Sequence, residues 1–228
     1  MREDDDRILA IMMKAPRPGE VKTRLASAYS TERVLAIYRA LAEDTIELVR
    51  RMTVRAVAFC PSGDEADLAE WLPGDLTIVP QQGAGLAAGL RSVFEQLCTK
   101  SGRRVVAFNA DSPHLGAGEL QAAFTALAHN DLVVGPCDDG GFYLVGARRP
   151  YPRLFDASVM GHVSACAALL AEAERQGLRV AQTAEHYDID LPHDLVRLAH
   201  DLAEEPSRAS RTAEILTTLG LMNSSRSA

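Results

Sequence analysis

No stretch of this 228-residue chain is apolar for anything near the roughly 20 residues that a membrane-crossing helix needs. A cationic excess is missing too. The 24 Lys and Arg against 31 Asp and Glu leave a formal net charge of −7. That balance excludes a nucleic-acid binder working through a broad basic footprint, and it excludes docking on anionic lipid. The four cysteines are widely spaced with no C-x-x-C pair, and neither they nor the six histidines cluster at ligand spacing. A zinc site is therefore not expected, and the thiols read as reduced groups in or near the core. The opening "MREDDDR" is acidic and polar, the reverse of a secretory signal, so the expected location is the cytoplasm. There is no internal repeat and no linker rich in Pro, Gly or Ser. What remains is an ordinary globular composition, expected to form a single domain over 1–222 with a frayed tail over 223–228.

Short apolar, β-branched runs recur along the chain: 7–13, 54–60, 76–80, 104–109, 131–136, 142–147 and 178–183. They lack clean alternation, as strands buried on both faces do. Helical patterns lie between them. The strongest, 31–51, sets Val34, Ile37, Tyr38, Leu41, Thr45, Leu48 and Val49 on one face behind Ser30 or Thr31 as a cap. Weaker ones cover 64–71, 86–99, 117–129, 163–176 and 192–204, and a last amphipathic helix follows "EEPSRASR". Strand alternating with helix reads as an α/β fold with a mostly parallel sheet and helices on both faces. The connection "CDDGG" between 131–136 and 142–147 is too short for a parallel crossover, so the sheet is expected to be mixed.

Positive charge gathers where the first strand ends. In "KAPRPGEVKTRLA" (14–26), Lys14, Arg17, Lys22 and Arg24 face only Glu20. Pro16, Pro18 and Gly19 constrain the backbone, and Gly19 permits close approach to a ligand. Cations on a pre-set turn make a cradle for a phosphate chain; the plain alternative is a solvated basic loop. It is not a Walker A loop, because Val21 stands where that pattern needs Gly before the Lys.

Carboxylates mark three other strand ends. "NADSPHL" places Asp111 just past the fourth run, either as a ligand for a divalent cation or as a helix cap. In "HYDIDLPHDL", Asp188 and Asp190 alternate with Ile189 and share a face in extended backbone, while Asp194 sits early in the next helix; on its own the cluster reads as an acidic N-terminal cap. "GPCDDGGFYLVG" sets Gly140 and Gly141 between Asp139 and the pair Phe142-Tyr143. It is either a tight turn or the floor of an acceptor site, with Asp139 as a catalytic or acceptor-binding carboxylate. Together, strand-end carboxylates and a cationic loop are what metal-assisted transfer at a diphosphate requires.

These segments resemble, in order, the motifs of a bacterial family of small glycosyltransferase-like proteins. That family, formerly a domain of unknown function, has the nucleotide-diphospho-sugar transferase fold, and some members are assigned to arsenosugar biosynthesis. "MMKAPRPGEVKTRLA" is similar to its "AKxPxxGxVKTRL", "NADSPHL" to "GxDxPxL", "GPCDDGGFYLVG" to "GPxxDGGYYLLG" and "DIDLPHDL" to "DVDTPEDL". The superfamily includes 2-phospholactate guanylyltransferase and the molybdenum cofactor guanylyltransferase. The resemblance implies a GT-A-like three-layer α/β/α sandwich. It implies phosphate contacts from Lys22 and Arg24 and a Mg²⁺ or Mn²⁺ ion on Asp111 and Asp190; nucleotide binding is further expected of Lys14, Gly19 and Thr23, and Asp188 is expected as a further metal ligand. Catalytic roles are expected for Lys22, Asp111 and Asp139, and acceptor contacts for Gly140, Gly141, Tyr143 and His162.

Two segments depart from the family pattern. "QQGAGLAAGLR" (81–91) has Ala84 at an acidic position and Gly89 at a basic one, and "MGHVS" (160–164) replaces a Ser-Thr-Pro, with His162 as a candidate substitute contact. The expected activity is metal-dependent glycosyl transfer from a nucleotide-diphospho-sugar to a small-molecule acceptor. The alternatives are nucleotidyl transfer to a phosphorylated small molecule and non-catalytic nucleotide binding.

Overall fold

A computed structural model describes residues 6–161 and 164–223. His162 and the tail from residue 224 onward lie outside the described residues. Contacts divide the chain into two compact units. The first comprises residues up to Ala15, Met52–Asn109 and Ala117–Tyr187; the second comprises Pro16–Arg51, Ala110–Gly116 and Asp188 onward.

The first unit holds the whole sheet. Its strands are β1 (Arg7–Met12), β2 (Arg55–Cys60), β3 (Thr77–Pro80), β4 (Arg104–Asn109), β5 (Leu132–Pro136), β6 (Phe142–Ala147) and β7 (Val180–Gln182). The sheet order is β3-β2-β1-β4-β6-β5-β7. Neighbours are parallel except β6, which runs antiparallel to both β4 and β5. The sheet is thus mixed, as the short connection before β6 requires. β6 comes back beside β5 as a hairpin partner and fills the place between β5 and β4.

Side chains alternate between the two faces. Ile8, Ala10, Val57, Phe59, Val105, Ala107, Val134 and Val145 share one face and one core cluster. Over them pack α3 (Gly85–Leu97) through Leu90, Val93 and Phe94, the single turn α5 (Ala157–Met160) through Val159, and α6 (Ala165–Arg175) through Leu169 and Ala173. Phe94 stacks on Phe155 with ring centroids 5.0 Å apart. On the opposite face α4 (Ala117–Ala126) buries Leu120, Ala123 and Phe124. Near it, a side chain at Gly146 would meet Val133, Leu127 and Val106 within 3.0 Å. This unit is therefore layered helix, sheet, helix, and α2 (Glu65–Trp71) leads into edge strand β3.

The second unit is helical. It contains α1 (Thr31–Arg50), α7 (Pro192–Leu202) and α8 (Ser210–Thr218), plus a short 3₁₀ turn at Thr23–Ser27. Ser30 caps α1, its side chain accepting from the Arg33 amide. Buried Asp44 on α1 accepts from the backbone amides of Thr212 (2.7 Å) and Arg211 (3.3 Å) at the start of α8. A carboxylate there satisfies two orphan donors and opposes the positive helix end, so it ties together segments distant in sequence. Among the described residues no helix is long and apolar enough to cross a membrane, and all four cysteines are free.

Candidate functional site

Within the second unit, three separate segments converge on one nitrogen. The Lys22 Nζ lies 2.5 Å from Asp111 Oδ2 and 3.1 Å from Asp190 Oδ1. Arg24 Nη1 reaches the other oxygen of Asp190 at 3.2 Å. Exposure rises outward along this chain of charges: 8% for the Lys22 side chain, 17% for Asp111, 43% for Asp190 and 63% for Arg24. The inner pair is shielded and strong, and the outer pair is bathed in solvent and screened.

Local backbone features create this geometry. Lys22 has φ 45° and ψ 40°, the only positive φ among the described non-glycine residues. A left-handed lysine carries a steric cost, and such strain persists where surrounding contacts impose it. Here the two carboxylates supply those contacts. Asp190 is fixed in turn by Asp194, whose Oδ2 accepts from the amides of Asp190 (2.9 Å) and Leu191 (2.6 Å) at the head of α7. Asp111 follows β4 closely, well before α4 begins at Ala117. It pairs with the lysine and is not the cap of α4. Ser112, its neighbour, is fully buried and its hydroxyl has no hydrogen-bond partner.

The electrostatics follow from burial and charge. Burial works against the Lys22 ammonium, but Asp111 and then Asp190, through charge and hydrogen bonds, outweigh it and raise its pKa above the ordinary lysine value. For Asp190, burial pushes the pKa up, and Lys22 followed by Arg24 more than reverses it, so the carboxyl titrates below its ordinary range.

The other expected residues are placed as follows. Gly19 is exposed with φ 78°, Thr23 is exposed, and Asp188 is half-buried, all in the second unit. Lys14, Asp139, Gly140, Gly141 and Tyr143 belong to the first. Lys14 is exposed two residues after the end of β1. Asp139 Oδ1 accepts from the Gly141 amide at 2.8 Å, and Gly140, with φ 89°, donates its amide to Cys137 at 3.1 Å. The five-residue connection is a tight turn, further tied because His186 donates to Pro136 and accepts from Asp138. Tyr143 is buried, with its hydroxyl 2.7 Å from Thr183 Oγ1 and 3.1 Å from the Ala184 carbonyl.

Two features of the first unit escape a reading by sequence. Asp64 is buried at the N-terminus of α2, yet its side chain makes no cap bond; its Oδ2 accepts from the Ala15 amide at 2.7 Å and pins the start of the cationic loop. Only its place in "PSGDEAD" before a helix was visible, and that spells a cap. Gly89, the departure at a basic position, has a packing reason. A Cβ there would stand 2.5 Å from Oε1 of buried Gln81, whose amide holds the carbonyls of Gly83 (3.0 Å) and Gly85 (3.4 Å).

The fold is similar to that of a proposed nucleotide-diphospho-sugar transferase from Desulfovibrio desulfuricans G20, with a TM-score of 0.87 and 26% identity over 95% of this chain and 96% of that one. It is also similar to Rv0371C of Mycobacterium tuberculosis H37Rv in complex with manganese (TM-score 0.51, 16% identity, 85% and 97% covered). A third likeness is to 4-diphosphocytidyl-2C-methyl-D-erythritol synthase from Anaerococcus prevotii DSM 20548 (TM-score 0.51, 14% identity, 84% and 94% covered). The latter two likenesses show a shared fold alone. No curated protein matches the chain by sequence. Residues 45–162 match a family model described as uncharacterized protein conserved in bacteria, DUF2064. That match spans more than half of the chain, and the chain belongs to this family.

Proposed function

We propose that this protein is a transferase using a nucleotide-activated donor, and that its reaction is glycosyl transfer from a nucleotide-diphospho-sugar to a small acceptor. The observation that carries the reading is the convergence of Lys22, Arg24, Asp111 and Asp190 from three segments of one unit. The whole-length likeness to a proposed nucleotide-diphospho-sugar transferase supports it.

The residues fit a divalent cation by their chemistry. Oxygens of Asp111 and Asp190 each lie within 3.1 Å of the same nitrogen, so both carboxylates face one point. Carboxylate oxygens are the donors that Mg²⁺ and Mn²⁺ prefer, and Asp188 is a further oxygen donor two residues from Asp190. Such an ion would neutralise charge on the donor's phosphate oxygens. The chain's own part is to bind and orient. Arg24 offers a planar, exposed guanidinium for phosphate, Gly19 leaves the loop backbone bare, and Asp194 fixes Asp190 through main-chain amides.

A second reading, nucleotidyl transfer, is favoured by the shared fold with the diphosphocytidyl-methylerythritol synthase. Products separate the two. The protein is incubated with sugar nucleotides and nucleoside triphosphates, each with candidate acceptors and Mg²⁺ or Mn²⁺, and products are resolved by ³¹P NMR. Nucleoside diphosphate released from a sugar nucleotide is the expected result. Pyrophosphate released from a triphosphate would move the assignment to nucleotidyl transfer. Binding without either product would make the protein a nucleotide-binding module and overturn the enzymatic reading.

A further inference from the structure

Lys22 has been treated so far as a phosphate ligand, but its ammonium faces the two carboxylates and is almost wholly shielded. We propose that Lys22 is a built-in counter-ion that a divalent cation must displace from Asp111 and Asp190. The two cations alternate on one carboxylate pair, and displacement is what sends the lysine to the donor's phosphates. This inference rests on the metal-assisted reading above.

Charge and contact distances carry the argument. Two carboxylates, Lys22 and Arg24 sum to zero, so the cluster is neutral as it stands. The ammonium hydrogen-bonds the same oxygens that a cation would coordinate, one at 2.5 Å and one at 3.1 Å. An ammonium and a divalent ion cannot both touch those oxygens without strong repulsion in a shielded place. One must leave, and the lysine is the one with a stem that swings.

The backbone supports the same conclusion. Lys22 is the only described non-glycine residue with a positive φ, on a loop that begins with Pro16, Pro18 and Gly19. With the ammonium released, nothing in the ion pair obliges that conformation, and the strain is free to relax. The displaced lysine leaves the cluster with a surplus of two positive charges once the ion is seated. That surplus suits a diphosphate, which carries opposite charge and recruits Lys22 and Arg24 together. Cation and diphosphate then bind with positive coupling, each favouring the other.

Two measurements test the exchange. The first uses the unaltered protein. Limited acetylation of amines is quantified at each lysine by peptide mass spectrometry, without Mn²⁺ and at Mn²⁺ concentrations shown by electron paramagnetic resonance to saturate the protein. Labelling of Lys22 is expected to rise severalfold with Mn²⁺, while Lys14 and Lys100 stay constant as internal references. Lys22 remaining protected with Mn²⁺ bound would overturn the exchange and leave the proposed transferase function standing. The second compares Mn²⁺ affinity in the wild type and in Lys22→Met, where loss of a competing neighbour charge is expected to tighten Mn²⁺ about tenfold or more. Unchanged or weaker binding would overturn the proposal, and should that variant not fold, the labelling experiment decides alone. Mn²⁺ binding to neither protein would remove the metal-assisted reading and the exchange with it.

Discussion

The turn at 137–141 and the cluster around Lys22 look alike as sequence: each sets aspartates beside glycine or proline at a strand end. They differ in what their carboxylates hold. Asp139 accepts from a main-chain amide two residues away, and around it Gly140 and His186 complete a backbone network. Asp111 and Asp190 accept from side-chain cations on a long, swinging stem. An amide is fixed in place, whereas an ammonium can be exchanged for another cation. Asp64 and Asp194 fall on the architectural side of this division, bonded to backbone amides, whereas Asp44 takes the Arg211 guanidinium at 3.4 Å as well as two amides. On the proposed reading, what a carboxylate is bonded to, more than its neighbours in sequence, separates the exchangeable carboxylates from the fixed ones.

The largest expected effect breaks this contrast from the reactive side. Asp111→Asn keeps shape and removes charge, and should lower the rate of transfer by about 10²–10³, the cost of losing one main stabilising group in comparable sites. Steady-state kinetics at saturating donor measures it; a loss below about threefold would put Asp111 with the architectural aspartates. Next comes Lys22→Ala, which should weaken donor nucleotide affinity about ten- to a hundredfold, as for a lost charge-assisted contact of about 1.5–3 kcal/mol. Isothermal titration reads this, and unchanged affinity would confine Lys22 to its ion pairs. Together with tighter Mn²⁺ in Lys22→Met, the two ligands would respond with opposite signs to loss of the same ammonium.

A smaller effect lies in acid. The Asp190 pKa is held low, so its contribution is complete above the ordinary carboxylate value of 3.8 and is lost as pH falls through the depressed value. The half-exposed carboxylate limits that contribution to about 1 kcal/mol or less. Unfolding midpoints measured from pH 6 down to 2.5 should fall more steeply for the wild type than for Asp190→Asn. Parallel curves would show that Asp190 carries no stabilising pair. The smallest effect is expected at the hairpin. Asp139→Asn retains an oxygen that can accept from Gly141, so stability should change by no more than about 0.5 kcal/mol and turnover should stay near wild type. A hundredfold loss of turnover would assign Asp139 a catalytic role.

Much of the fold was legible because its signals are local. Continuous apolar runs gave all seven strands to within two residues, and the Ser30 cap with its apolar stripe gave α1. The short "CDDGG" connection pointed to a mixed sheet through chain length alone. The insertion of β6 between β5 and β4 was not legible, since strand order depends on pairing between distant segments. α5 was missed because four residues cannot display a helical period. At the candidate site, the residue types of Lys22, Arg24, Asp111 and Asp190 were visible as charge at strand ends. Their mutual pairing, the left-handed backbone of Lys22 and the hold of Asp64 on Ala15 are long-range or conformational facts that spacing does not encode.

The most direct test of the central claim is anomalous diffraction at the manganese edge from crystals soaked with Mn²⁺ and a sugar nucleotide. The account predicts one strong peak in direct contact with carboxylate oxygens of both Asp111 and Asp190, the Lys22 ammonium moved onto the diphosphate, and Arg24 beside it. A peak elsewhere, or Lys22 still lodged between the two aspartates with nucleotide bound, would contradict it.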